Sequence, residues 1–110
     1  MEIRIKNKGK SIFVSVKKLS FFGRFSGLMF KTSQTENLLF DFGKNVLMPI
    51  HSFFVFFHFL AIWVDEENNL IEKRIVCPFC VSVSPKKEFN KLIEIPINEK
   101  NKKIVEFFRN

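Results

Sequence analysis

Eighteen residues without a charge run from Leu47 to Val64, "LMPIHSFFVFFHFLAIWV", and constrain the fold more than any other segment. A helix that spans a bilayer needs about 20 predominantly apolar residues, so the length nearly suffices. The residue types argue otherwise. Pro49, His51, Ser52 and His58 interrupt the run, and its Phe, Val, Ile and Trp suit a pleated strand. A lone span would also withdraw the most apolar segment from the core of the remaining chain. The run is therefore expected to be a core strand, with no membrane span. Successive side chains of a strand point to opposite faces. Phe57, Phe59, Ala61 and Trp63 then share one face with His51, and Leu60, Ile62 and Val64 share the other with His58. Both faces are apolar, which predicts a central strand covered on both sides. A bend near His58 is expected, because straight strands this long are uncommon. His58 itself reads as a neutral, hydrogen-bonded core histidine.

The flanking sequence is organised as short strands and turns. "EIRIKNKGKSIFVSV" alternates Ile3 and Ile5 with Arg4 and Lys6, then supplies a turn in which Gly9 can take a positive φ. "KKLSFFGRFSGLMF" reads as one short helical turn followed by a buried, irregular loop. "LLFDF" is a strand and "GKN" the next turn, bending at Gly43. "DEENN" closes the long apolar run, and "LIEKRIV" is its return strand. "KLIEIPI" alternates with Glu94 pointing outward, "NEKNKK" is a polar loop, and "KIVEFF" is expected to be the last strand. Seven or eight strands with a turn signal about every 8–12 residues predict a mainly β fold. The expected architecture is a compact antiparallel β-sandwich or barrel-like fold with one short helical turn, in a single domain covering residues 1–110.

Charge is distributed unevenly. The chain carries a formal net charge of +7, and all of it resides in residues 1–31, with eight Lys and Arg against Glu2 alone. The rest carries ten bases and ten acids. A basic N-terminal segment suits phosphate, nucleic acid or anionic lipid, although no nucleic-acid motif spacing accompanies it and a solvated sheet face is the simpler reading. With 16 Phe and no Tyr, the core is apolar and poor in hydroxyl donors. The N-terminus lacks the continuous apolar stretch of a secretory signal. Two cysteines three apart make no disulfide framework. Both features lead to the expectation of a cytoplasmic, reducing location.

Few residues carry recognisable chemistry. Cys77 and Cys80 in "CPFC" are half of a structural zinc site, which usually has four ligands. His51 or His58 could complete it only by folding back, since the two histidines are seven residues apart and fall on opposite faces of a regular strand. The strand-like "VSVSP" that follows is unlike the helix that activates a redox C-x-x-C, so the pair reads first as inert thiols. No phosphate-binding glycine loop and no nucleophile elbow is present. "DEENN" lacks the spacing of a calcium loop and reads as a plain turn. Function tends to sit on loops held by rigid strands. The longest irregular segments, "GRFSGLMFK" and 77–87, hold Arg24, Lys31, Lys86 and Lys87, which are the expected ligand-binding residues. The leading expectation is a noncatalytic module, without cofactor, that binds a protein partner or a small anionic ligand. The alternatives are a metal- or thiol-dependent protein holding zinc through Cys77, Cys80, His51 and His58, and a nucleic-acid binder working through residues 1–31.

Four segments occur in a fixed order: "GLMFK" at 27–31, "NLLFDF" at 37–42, "IHSFFVFFHFLAIWVDEENNLIE" at 50–72 and "SPKKEFNKLIEIP" at 84–96. In this order they resemble the domain-of-unknown-function 192 family, and its archaeal branch in particular, over about residues 12–108. The resemblance implies a compact, sandwich-like β-rich fold with a short helix. It implies no established activity and so no catalytic residue. Many bacterial members carry export signals or anchors, which this chain does not show. His58 stands where the family usually has Pro, Leu60 where it usually has Asp, and "CPFC" where many archaeal members have a Pro-Trp-like segment.

Overall fold

The computed structural model describes residues 1–19, 31–50, 55–80 and 82–109. Its strands, in chain order, are β1 (Glu2–Asn7), β2 (Lys10–Ser15), β3 (Lys17–Lys18), β4 (Leu38–Val46), β5 (Phe59–Val64), β6 (Leu70–Val76) and β7 (Phe89–Pro96). One helix, α1 (Lys102–Arg109), follows them. The fold is mainly β, with two sheets and one short helix among the described residues. The Cα radius of gyration is 12.7 Å. A compact chain of this length should measure about 13 Å.

The first sheet is the hairpin β1–β2. Lys8 and Gly9 form its two-residue turn at φ 52° and 80°. Positive φ at both positions is the backbone that matches the natural twist of the paired strands. Alternation sends Ile3, Ile5, Ile12 and Val14 inward and leaves Arg4, Lys6, Ser11 and Phe13 on the outer face.

The second sheet has the order β3-β4-β7-β5-β6, parallel between β3 and β4 and antiparallel elsewhere. Every residue of β5 is buried. Leu60, Ile62 and Val64 face a core shared with the hairpin, Ile93, Ile95 and Phe108 of α1. Phe59, Ala61 and Trp63 face a second core with Leu38, Phe40, Phe89 and Leu92, closed by Val55, Val83 and their neighbours. The expected two-faced strand is thus present, but it starts at Phe59. Residues 55–58 are not in a strand, and His58 is exposed rather than in the core. Upstream, Ile50 instead bridges to Val83.

Two further expectations are corrected. Gly43, at φ 68°, does not end a strand; β4 continues through it. The register slips between Asp41↔Lys91 and Val46↔Phe89, and Asp41 Oδ1 accepts the Gly43 N–H at 3.0 Å, so the extra residues form a bulge. "KIVEFF" lies in α1 and is not a strand. Ile104, Phe107 and Phe108 sit at the i, i+3, i+4 spacing that puts them on one helical face, packed under the hairpin. Asn98 and Asn101 prepare the entry. Asn98 Oδ1 accepts the Asn101 N–H at 2.9 Å, and the Asn101 amide donates to the Pro96 carbonyl at 2.7 Å and to Asn37 Oδ1 at 3.0 Å. The short helical turn expected within "KKLSFFGRFSGLMF" lies largely outside the described residues. No helix among those described is long and apolar enough to cross a membrane.

Candidate anion-binding cleft

The outer face of the hairpin meets the start of β6 in a cleft of about 500 Å³. Arg4, Lys6, Lys8 and Lys10 line it, with Asn69 and Leu70 on the opposite wall. Each cation is placed by strand alternation or by the turn. With Ile3 and Ile5 fixed in the core, Arg4 and Lys6 must point away from it. The turn then brings Lys8 and Lys10 to the same end.

The far wall is built by the 65–69 turn. Asp65 Oδ1 accepts N–H groups from Glu67 at 2.9 Å and Asn69 at 2.8 Å, and Oδ2 accepts the Asn69 side-chain amide at 3.2 Å. Asn68 adopts φ 67°, and Lys91 Nζ donates to its Oδ1 at 2.8 Å and to the Glu66 carbonyl at 3.1 Å. The turn is clipped to the hairpin by the Lys6 N–H, which donates to the Asn68 carbonyl at 3.0 Å. Partial burial raises the Asp65 carboxyl, but the Asn69 and Glu67 donors and the charge of Lys6 outweigh it and hold the group below the usual carboxylate range. Asp65 therefore stays ionised and keeps the wall in place at neutral pH.

Among the described residues, Arg4, Lys8 and Lys10 join no ion pair. Like charges this close repel one another, and a bound anion relieves that repulsion. On the same outer face, Phe13 lies across from Arg4 in the hairpin register and is 64% exposed.

The expected binding residues are scattered. Lys31 is exposed near the C-terminal end of β7, where the Asn98 amide donates to the Ser33 carbonyl at 2.6 Å. Lys86 and Lys87 are exposed just before β7 begins, with the Lys86 N–H donating to Glu72 Oε1 at 2.9 Å. Lys86 and Lys87 are thus tied to the β6 side of the sheet through Glu72, and Lys31 to the segment after β7 through Ser33 and Asn98. Arg24 and His51 lie outside the described residues.

The metal alternative gathers little. His58 directly precedes Phe59, whose register partner Val76 directly precedes Cys77, and the His58 carbonyl accepts the Ile97 N–H at 3.1 Å. Cys77 is exposed, whereas Cys80 packs against the core around Trp63. Between them Phe79 takes φ 59° and sits edge-on to Phe56, ring centres 5.4 Å apart. No group of three or more His, Cys, Asp and Glu that could hold a metal ion occurs among the described residues.

Glu94 departs furthest from expectation. Far from pointing to solvent, it is only 6% exposed. Its register partners are Leu38 and Ala61, so it stands on the aromatic face of the sheet. Burial pushes its pKa up to about 8. On the same face, Trp63 Nε1 is buried with no hydrogen-bond partner among the described residues.

No family model and no curated protein matches the chain. Two solved structures share its fold. One is a putative transcription regulator from Sinorhizobium meliloti 1021, with a TM-score of 0.75 at 14% identity over 92% of this chain and 81% of that one. The other is a protein of unknown function from Novosphingobium aromaticivorans DSM 12444, with a TM-score of 0.74 at 11% identity over 94% of this chain and 76% of that one. At such identities the likeness is one of fold alone.

Proposed function

We propose that this protein is a small, noncatalytic binding module for an anionic ligand, held in the cleft between the β1–β2 turn and the start of β6. The observation that carries this reading is the convergence of Arg4, Lys6, Lys8 and Lys10 on one cleft of about 500 Å³. Lys31 and the Lys86–Lys87 pair act, on this reading, as separate anion contacts at opposite ends of β7. The order of the four sequence segments is the ground on which the chain is proposed to belong with the domain-of-unknown-function 192 family.

Titration calorimetry with inorganic tripolyphosphate at low salt tests the cleft. Wild-type protein should bind, and binding should weaken as salt rises through the range that screens surface charge. The combined variant Lys6→Glu, Lys8→Glu, Lys10→Glu should lose it. Lys86→Ala with Lys87→Ala should retain most of it. Undiminished affinity in the triple variant, or no heat with the wild type, would overturn the assignment.

A further inference from the structure

We infer that the anion taken by this cleft is the backbone of a single-stranded nucleic acid, with one of its bases stacked on Phe13 while its phosphates follow Arg4 and Lys6 toward the turn. The inference rests on the proposed anion cleft and adds the chemistry of the ligand.

Three observations support it. First, Phe13 is 64% exposed although a hairpin with its inner face already filled has no need of an outer aromatic ring. Its neighbours on that face of β2 are Ser11 and Ser15, small polar residues that leave the ring open. Second, Arg4 is its cross-strand partner, so a cation stands beside the ring at the usual separation of about 5 Å between paired Cβ atoms. Phosphate recognition and a stacking surface are thereby joined in one register pair, the combination by which sequence-tolerant single-strand binders work. Third, the platform is rigid. Ile3, Ile5 and Val14 anchor the reverse face in the core, and the Lys6 N–H ties β1 to the 65–69 turn.

Two competing occupants fit less well. A duplex keeps its bases stacked on one another and offers no base face to Phe13. An anionic membrane would favour a broad apolar face for insertion, whereas the residues around Phe13 on the hairpin's outer face are Ser11, Ser15, Arg4, Lys6 and Glu2, all polar or charged.

Fluorescence anisotropy with a dye-labelled oligo(dT) of a dozen or so nucleotides, competed by tripolyphosphate, tests the inference. Phe13→Ala should weaken oligo(dT) binding about tenfold or more, because base–aromatic stacking is worth that much, while leaving tripolyphosphate affinity unchanged. Phe13→Trp should restore or improve it. Lys6→Glu with Lys8→Glu should weaken both ligands. Phe13 is exposed, so thermal melts of its variants should match the wild type. If Phe13→Ala leaves oligo(dT) affinity unchanged while both anions still bind, the stacked base is wrong and the cleft stands. If neither anion binds, the cleft itself is wrong. Binding of the matched duplex, or of phosphatidylserine vesicles, more tightly than oligo(dT) would overturn the single-strand assignment.

Discussion

The two faces of the five-stranded sheet are packed by different chemistry. Toward the hairpin and α1 the buried side chains are almost all aliphatic, with Ile5, Val14, Ile62, Ile93 and Ile95 sealed from solvent. The opposite face is built from Phe40, Phe59, Trp63 and Phe89, with Trp63 and Phe42 both set edge-on to Phe89. Into that aromatic layer the chain places a carboxyl, Glu94, and an indole N–H left unsatisfied among the described residues. Burying a polar group without a partner costs free energy, whereas burying an aliphatic one stabilises. The first face therefore holds the domain together and fixes the hairpin that carries the cleft. The second face bears a polar cost, and its stability depends on pH.

The largest effect should come from the aliphatic face. Ile62 is in the middle of β5 and fully buried between β6 and β7. Ile62→Ala should cost about 2–5 kcal/mol, the loss of transfer energy plus a cavity that the close-packed sheet cannot collapse around. In a domain of this size each kcal/mol lowers the melting temperature by roughly 4–8 °C. A scanning-calorimetry shift of only a degree or two would show that this face is not the main source of stability.

Glu94 should make the other face respond to pH. Its ordinary value is 4.5, and in the fold burial raises it to about 8. Between those values the folded chain keeps a proton that the unfolded chain releases, so stability falls as pH rises. The contribution is fully present below about pH 4.5 and is lost as pH passes through 8. The loss should be on the order of a few kcal/mol. Glu94→Gln should remove most of this slope and leave the variant the more stable of the two at pH 9. Urea unfolding from pH 5 to pH 9 gives the comparison directly. Parallel curves for the two proteins would mean that the carboxyl is solvated or paired.

How much of this was readable beforehand follows from how local each signal is. The β1–β2 hairpin was legible because its alternation and its Gly9 turn lie within fifteen residues. The two faces of β5 were legible for the same reason. The start of β5 at Phe59 was not, because Val55, Phe56 and Phe57 are as apolar as the strand itself. "KIVEFF" is short and apolar enough to read as a strand, and the helix is marked by the Val105 N–H bonding back to the Asn101 carbonyl at 2.9 Å, with the Asn101 side chain held by Pro96 and Asn37. Glu94 is on the opposite side of β7 from Ile93 and Ile95, as alternation requires. Yet that side is covered too, by the aromatic core packed on it, and what packs on a sheet face is not a local property. The cleft was half visible. Its cations belong to the basic segment 1–31, but Asn69 and Leu70 come from some sixty residues further along and meet Lys6 only through the topology.

The smallest effect tests the comparison most sharply. Trp63→Phe removes apolar surface and leaves a gap beside Phe89, which alone would destabilise by about 1–2 kcal/mol. It also removes a buried N–H without a partner among the described residues, and such a group costs about 1–3 kcal/mol to keep. The two contributions oppose each other, so the net change should be within about 1 kcal/mol of zero. An equally sized truncation on the aliphatic face has no such offset, because no orphaned polar atom leaves with it. Chemical denaturation of Trp63→Phe beside Ile93→Val makes the comparison, since Ile→Val should cost about 0.5–1.5 kcal/mol with nothing in return. A loss of several kcal/mol in Trp63→Phe would show that its indole N–H does find a partner in solution. The aromatic face would then carry its polar cost at Glu94 alone.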